Sequence, residues 1–339
     1  NKTVTLSDMN VSFTIDRFGH IISAIDKRSG RETIDPRMPG NVLELFVDAP
    51  AQWDAWDVDR TYEHMQLPEA KVKAFQLENG QVTVEGEIGK STYIQHIGMD
   101  SDTSTLRIST HVDWNESDRL LKQSFPLDVY ATQETSEIQY GHLSRPVIKN
   151  TSWDEAMFER SNQRWVHVAE GGFGVTLANR TNYGHDAQQI TMSNGRPGTR
   201  IRLSLLRATH FPVPRADVGA HDFEMSFGFG GIDQAVQQGY RLNVPAVRFL
   251  GDHGVKPFLD ISEGGVVVES VKLAEDRSGD VIVRLYESSG SRSHCTVRAE
   301  FDWESVREVG ILEDKCEAVE PAIINIDSDK NIELELHRF

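Results

Sequence analysis

The decapeptide Trp53-Asp54-Ala55-Trp56-Asp57-Val58-Asp59-Arg60-Thr61-Tyr62 puts two tryptophans and three aspartates within seven residues, shortly after Pro50. Aromatic faces stack on sugar rings and carboxylates accept hydrogen bonds from hydroxyls, so these residue types at this density suit a sugar-binding surface. They equally suit a loop whose tryptophan rings plug a core edge while its aspartates cap turns. A second stretch, Asn182-Tyr183-Gly184-His185-Asp186, follows an alternating segment and reads as a loop carrying Tyr, His and Asp, a common placement for binding residues on a rigid sheet. His111-Val112-Asp113 resembles half of a metal site, because residues two apart in a strand share a face. No neighbouring cluster completes it, and a metal role is not expected. His210 and His221 flank Pro212, Pro214 and Asp217, where stiffening of a loop fits better than ligation.

Such residues need a frame, and the apolar pattern repeats with period two along most of the chain. Val11/Phe13/Ile15, Leu106/Ile108/Thr110/Val112/Trp114, Val175/Leu177, Ile201/Leu203/Leu205 and Phe223/Met225/Phe227/Phe229 alternate as strands with one buried face must. The last three are expected in one antiparallel sheet. Glu78-Asn79-Gly80-Gln81 reads as a hairpin turn. Thr151 or Ser152, followed by acidic residues, caps one or two helical turns, and Ile232, Val236 and Tyr240 mark the other helical patch. Past Gly251-Asp252-His253-Gly254 and Pro257, shorter alternations such as Val281/Val283/Leu285 and Ile332/Leu334/Leu336 suit a small immunoglobulin-like β-sandwich. The expectation is an all-β protein, with one large unit over residues 1–255 and a small one over 256–339.

Composition narrows the partners. The 339 residues suggest about two domains with room for a large core. A formal net charge of -17 repels polyanions, which argues against nucleic acid and anionic membranes as partners. The two cysteines, Cys295 and Cys316, are expected as reduced buried thiols, since disulfide frameworks use more cysteines in shorter chains. No run of about 18 apolar residues occurs. The start, Asn1-Lys2-Thr3-Val4, lacks an initiator Met and a signal-peptide core, so the chain reads as a piece of something longer. Few cysteines and an acidic balance lean towards a cytoplasmic setting.

The set of motifs resembles the region that follows the catalytic domain in glycoside hydrolase family 38 α-mannosidases. The resemblance is carried by Asp16-Arg17-Phe18-Gly19, Gly40-Asn41-Val42-Leu43-Glu44-Leu45-Phe46, Trp53-Asp54-Ala55-Trp56-Asp57-Val58-Asp59 and Glu137-Ile138-Gln139-Tyr140-Gly141. It continues through Asn150-Thr151-Ser152-Trp153-Asp154, Gln163-Arg164-Trp165-Val166, Tyr183-Gly184-His185-Asp186, Leu203-Ser204-Leu205-Leu206-Arg207 and Ala216-Asp217-Val218-Gly219-Ala220-His221-Asp222-Phe223. These stretches lie in order, which makes them specific as a set.

The resemblance implies a large antiparallel supersandwich, galactose mutarotase-like, followed by the small sandwich. It implies a retaining, zinc-dependent enzyme that removes terminal α-mannosyl residues. The nucleophile, the acid/base and the zinc ligands would belong to a preceding catalytic barrel, so no cofactor and no catalytic residue are expected in this chain. The implied partners are α-mannosides or mannose oligosaccharides, the protein's own N-terminal catalytic domain and, in the full-length form, a possible homo-oligomer. Trp53, Asp54, Trp56, Asp57, Tyr183, His185 and Arg207 are the implied wall of the sugar cleft. At Asn182, where the family often carries Lys, this chain departs from the pattern. Two alternatives stay open: a free-standing carbohydrate-binding domain using Trp53 and Trp56, and a mutarotase-like enzyme with a His acid and a carboxylate base.

Overall fold

The computed structural model describes residues 3–247, 249–252, 254, 256–262, 265–314, 323–328 and 330–337. Two compact units emerge: Asn1–Glu137 with Leu143–Pro245, and Ile138–His142 with Ala246–Phe339. The division therefore falls at Pro245, ahead of the expected limit at residue 255, and the tip of one hairpin groups with the second unit.

The first unit begins with β1 (Thr3–Ser7), β2 (Val11–Asp16), β3 (Ile21–Asp26) and β4 (Arg31–Glu32), a four-stranded sheet in sequence order. Next come β5 (Val42–Val47), β6 (Lys71–Glu78), β7 (Gln81–Ile88), β8 (Ser91–Asp100), β9 (Thr105–Trp114) and β10 (Arg119–Leu127). They are followed by β11 (Gln133–Ile138), β12 (Gly141–Pro146), α1 (Ser152–Ala156), β13 (Arg160–Ser161) and β14 (Trp165–Glu170). The series closes with β15 (Phe173–Arg180), β16 (Gly184–Thr191), β17 (Pro197–Arg207), β18 (Gly219–Phe229) and α2 (Ile232–Asn243). Nine strands form one antiparallel sheet in the order β12-β11-β14-β15-β18-β9-β8-β7-β6, and five form another in the order β13-β16-β17-β10-β5.

Period two explains the burial. In β7, Val82, Val84 and Ile88 are buried while Glu85 and Glu87 face out, and β9 buries Leu106, Ile108, Val112 and Trp114. One continuous core holds Phe13, Leu121, Phe125, Leu177, Leu203, Phe227 and Phe229. Phe227 sits at its centre, with ring centroids of Phe13, Phe125 and Phe229 at 5.5, 6.2 and 5.5 Å.

One expectation is corrected here. Val175/Leu177 (β15) and Phe223 to Phe229 (β18) share the nine-stranded sheet, whereas Ile201/Leu203/Leu205 (β17) belong to the five-stranded one. Alternation shows that a face is buried, but it does not say which sheet carries it. Both helical expectations hold. Thr151 caps α1 in a reciprocal capping box with Asp154, and α2 buries Ala235, Val236 and Leu242.

The second unit contains β19 (Leu259–Ile261), β20 (Val266–Leu273), β21 (Val281–Glu287), β22 (Arg292–Ala299), β23 (Ile323–Ile326) and β24 (Ile332–His337). A four-stranded sheet, β19-β22-β24-β23, and the pair β20-β21 make a small β-sandwich around Cys295, Val297 and Ile332. Cys295 is a buried free thiol whose pKa burial pushes up, and Cys316 lies outside the described residues.

Phe227→Ala should empty the centre of the larger core and lower the unfolding free energy of the first unit by about 3–5 kcal/mol. A urea titration read by β-sheet circular dichroism checks this; an unmoved midpoint would contradict the packing described.

Candidate functional site

The outer face of the five-stranded sheet positions the tryptophan loop. On the inner face, Leu43 and Leu45 of β5, Leu121 and Phe125 of β10, and Ile201 and Leu203 of β17 point into the core. The alternate positions carry charge: Glu44, Lys122, Arg202 and Asp186. Register sets them side by side, because Lys122 lies opposite both Glu44 and Ser204, and Asp186 lies opposite Arg202. A 3₁₀ turn, Arg60–His64, and the segment after α1 cover this layer with Tyr62 and Glu159.

Lys122 is fully buried and every direction it takes is answered. Its Nζ donates to Asp186 at 2.6 Å, to the Tyr62 hydroxyl at 2.9 Å and to Glu159. The Tyr62 hydroxyl donates onward to Glu159 at 2.6 Å. Arg202 donates to Asp186 at 2.8 and 3.1 Å and lies 3.4 Å from Glu44 and 3.7 Å from Glu63. Burial works to raise the Asp186 pKa, yet Lys122 and Arg202 outweigh it and hold the carboxyl well below the usual range. Burial, with Asp186 and Glu159 close by, raises the Tyr62 phenol, so that hydroxyl keeps its proton.

The tryptophan loop runs directly into that turn. Trp53 adopts a φ of 56°, and its carbonyl accepts the N–H groups of Trp56 and Asp57 at 2.8 and 2.9 Å, folding the loop back on itself. Both rings stay in solvent, Trp53 62% and Trp56 67% exposed. Phe211, 54% exposed, completes a three-ring cluster with centroids 6.3 Å from Trp53 and 6.0 Å from Trp56, while the two tryptophans are 6.3 Å apart.

The loop's carboxylates brace the backbone. Asp54 accepts the N–H groups of His210 at 2.6 Å and Phe211 at 3.0 Å, and these bonds lower its pKa. Asp57 accepts the N–H of Val58, and Asp59 that of Ala51. Arg207, at the end of β17, holds Asp48 at 2.6 and 3.0 Å and the Asp57 carbonyl at 2.7 Å. Neither sequence reading of this loop holds whole: Asp54 and Asp59 brace backbone across and within the loops, and the tryptophans are presented rather than plugged.

The candidates for a cleft wall separate accordingly. Trp53, Asp54, Trp56, Asp57 and Arg207 come together, joined by Phe211 and Asp48, which the sequence reading missed. Phe211 stood in plain sight between His210 and Pro212, an apolar residue in a loop with little to bury it. Tyr183 is 66% exposed at the head of β16 and makes none of these ring contacts among the described residues. His185 corrects the expectation of a loop: with Asp186 it lies inside β16, wholly buried, with its Nδ1 2.9 Å from Asn162 and its Nε2 3.5 Å from Glu134. Gly184 and His185 already pair with Ser204 and Leu203, so the strand starts before the polar residues end. In this arrangement His185 presents nothing to a ligand.

His111 is paired with Asp222 at 2.7 Å, and no group of three or more His, Cys, Asp or Glu suited to a metal stands together among the described residues. Among the described residues no helix is long and apolar enough to cross a membrane.

Fold and surface together define an all-β scaffold that presents aromatic rings on two cross-braced loops. Residues 6–215 match the model described as "Glycosyl hydrolases family 38 C-terminal domain", and residues 265–339 match "Glycosyl hydrolases family 38 C-terminal beta sandwich domain". The chain belongs to glycoside hydrolase family 38 and corresponds to its C-terminal region. Alpha-mannosidase 2C1 of Homo sapiens is 33% identical over 318 residues, covering 86% of this chain and 29% of that protein. An alpha-mannosidase of Saccharomyces cerevisiae is 25% identical over 336 residues, covering 88% of this chain and 30% of that protein. The chain thus spans under a third of the length of these relatives. The crystal structure of an alpha-mannosidase from Enterococcus faecalis V583 shares the fold, with a TM-score of 0.68 at 14% identity over 99% of this chain and 43% of that one.

Lys122→Met should destabilise the first unit by about 3–5 kcal/mol, because it leaves buried carboxylates without their counter-charge. Chemical denaturation measures it. The depressed Asp186 pKa has a definite sign: its contribution is present above the unfolded-state aspartate value and is lost only as pH falls through the lower folded value. Asp54→Ala should free the loop after β17, and trypsin should then cut after the exposed Arg215 sooner than in the parent protein. Equal cleavage rates would count against the brace.

Proposed function

We propose that this chain is the non-catalytic C-terminal portion of a retaining, zinc-dependent α-mannosidase that hydrolyses terminal α-mannosyl residues. It supports a preceding catalytic domain and lines part of the sugar cleft. The observation that carries this reading is the exposed Trp53/Trp56/Phe211 cluster, braced by Asp54 and Arg207, in a family 38 chain whose longer relatives are named alpha-mannosidases. Carbohydrate C–H faces stack on such rings, and braced loops hold the rings in place before the sugar arrives.

In this reading the nucleophile, the acid/base and the zinc ligands all belong to the preceding portion, and no chemical step is assigned to a residue of this chain. Zinc would there hold sugar hydroxyls. The residues here supply binding: the rings stack, and Arg207 with Asp48 fixes the loop that bears them. Tyr183, exposed on the same unit, is a further contact for a mannose oligosaccharide.

The three-ring cluster also suits a second reading, a free-standing carbohydrate-binding domain. Titration calorimetry of this chain alone with mannose oligosaccharides separates the two, since the second reading requires heat and the first does not.

The test of the first is kinetic. In the full-length protein acting on 4-nitrophenyl α-mannoside, Trp56→Ala should raise KM by about five- to tenfold, the worth of one lost stacking contact. Wild-type KM in both Trp56→Ala and Trp53→Ala would reject the cleft assignment.

A further inference from the structure

The layer beneath the tryptophan loop contains a phenol whose hydroxyl is used only there. Tyr62 is 1% exposed and follows Trp56 by six residues, so it anchors the exit of the loop as Arg207 anchors its body. Its ring packs edge-on against Phe46 at 5.4 Å, and its hydroxyl sits between Lys122 and Glu159. The turn's other side-chain anchors differ. Arg60 pairs with Glu155 where both are 54% exposed, and Glu63, largely buried, lies 3.4 Å from Lys149 and 3.7 Å from Arg202. An exposed pair such as the first contributes little, whereas a hydrogen bond shared between a buried cation and a carboxylate is strong and directional.

We infer that Tyr62 is a positioning residue for the sugar-binding loop: its hydroxyl, held by Lys122 and Glu159, sets the angle at which Trp53 and Trp56 face a ligand. This rests on the cleft reading proposed above. Backbone bonds just past the turn, from the Val47 N–H to the Met65 carbonyl at 3.0 Å and from the Leu67 N–H to the Leu45 carbonyl at 2.7 Å, tie its exit to β5, and ring packing alone would leave the tilt of the turn about that edge free. The hydroxyl removes that freedom, because Lys122 is itself fixed on β10 by Asp186, and Glu159 is fixed on the far side by Ser204 at 3.0 Å. Glu159 thereby joins the segment after α1 to the same anchor, so two covering segments share one point of attachment to the sheet.

The experiment compares Tyr62→Phe, Trp56→Ala and Arg60→Ala in the full-length protein with 4-nitrophenyl α-mannoside, with thermal midpoints recorded alongside. Tyr62→Phe keeps the ring and should raise KM by about three- to tenfold while kcat stays within about twofold, the pattern of lost binding rather than lost chemistry. Arg60→Ala, which breaks only the exposed pair, should leave KM unchanged. If Trp56→Ala raises KM and Tyr62→Phe does not, the positioning role is overturned and the cleft reading stands. If neither moves KM, the cleft reading fails as well. An Arg60→Ala shift as large as that of Tyr62→Phe would overturn the specific role of the hydroxyl. Should Tyr62→Phe not fold, Glu159→Gln carries the same test: a raised KM with kcat held supports the inference, and a wild-type KM overturns it.

Discussion

A lysine with no solvent exposure organises one half of this molecule. Lys122 stands in the middle of a strand with both faces covered, and its charge is tolerated because Asp186, Glu159 and the Tyr62 hydroxyl surround it. Taking two cations and their carboxylates out of water is costly, and the arrangement persists only where the geometry answers each donor. That demand is why the 3₁₀ turn and the segment after α1 lie where they do. Neither has an extensive apolar face of its own, and both are held by the charged layer together with the small Phe46, Tyr62 and Leu120 cluster.

Rigidity beneath has a consequence above. The tryptophan loop is bound at its entrance and body by Asp48, Arg207 and the Asp57 carbonyl, across to its neighbour by Asp54, and at its exit by Tyr62. Three aromatic rings are then kept in water without collapsing onto the core. Leaving such rings exposed forfeits burial energy, and that cost is what the proposed contact with a sugar would offset. The loop's polar residues brace its backbone, and its aromatic ones are left in water.

The alternating apolar strands β9, β15, β17 and β18, the hairpin at Asn79-Gly80, the α1 cap at Thr151 and the small second sandwich were legible in the sequence, because each depends on local periodicity or on a local hydrogen bond. Partnership between distant strands was not. β17 and β18 read alike, as alternating apolar runs, yet they belong to different sheets. The Asn182 to Asp186 stretch looked like a loop because its side chains are polar. In fact His185 and Asp186 are strand residues whose polarity is answered across space by Asn162, Lys122 and Arg202.

Trp53 and Trp56 could be picked out by residue type and Arg207 through the family resemblance, whereas Phe211 joined their surface across a bond to the Asp54 carboxylate. What the chain's order of residues determined alone was its all-β character, the small sandwich at its end, and the density of aromatic and acidic groups near residue 55. What only the folded molecule decided was which of those groups meet solvent and which meet one another. The physical reason is that period and composition act over a few residues, whereas a buried charge finds its partner through contacts tens to more than a hundred residues apart, as Lys122 does with Asp186 and Arg202 with Glu44.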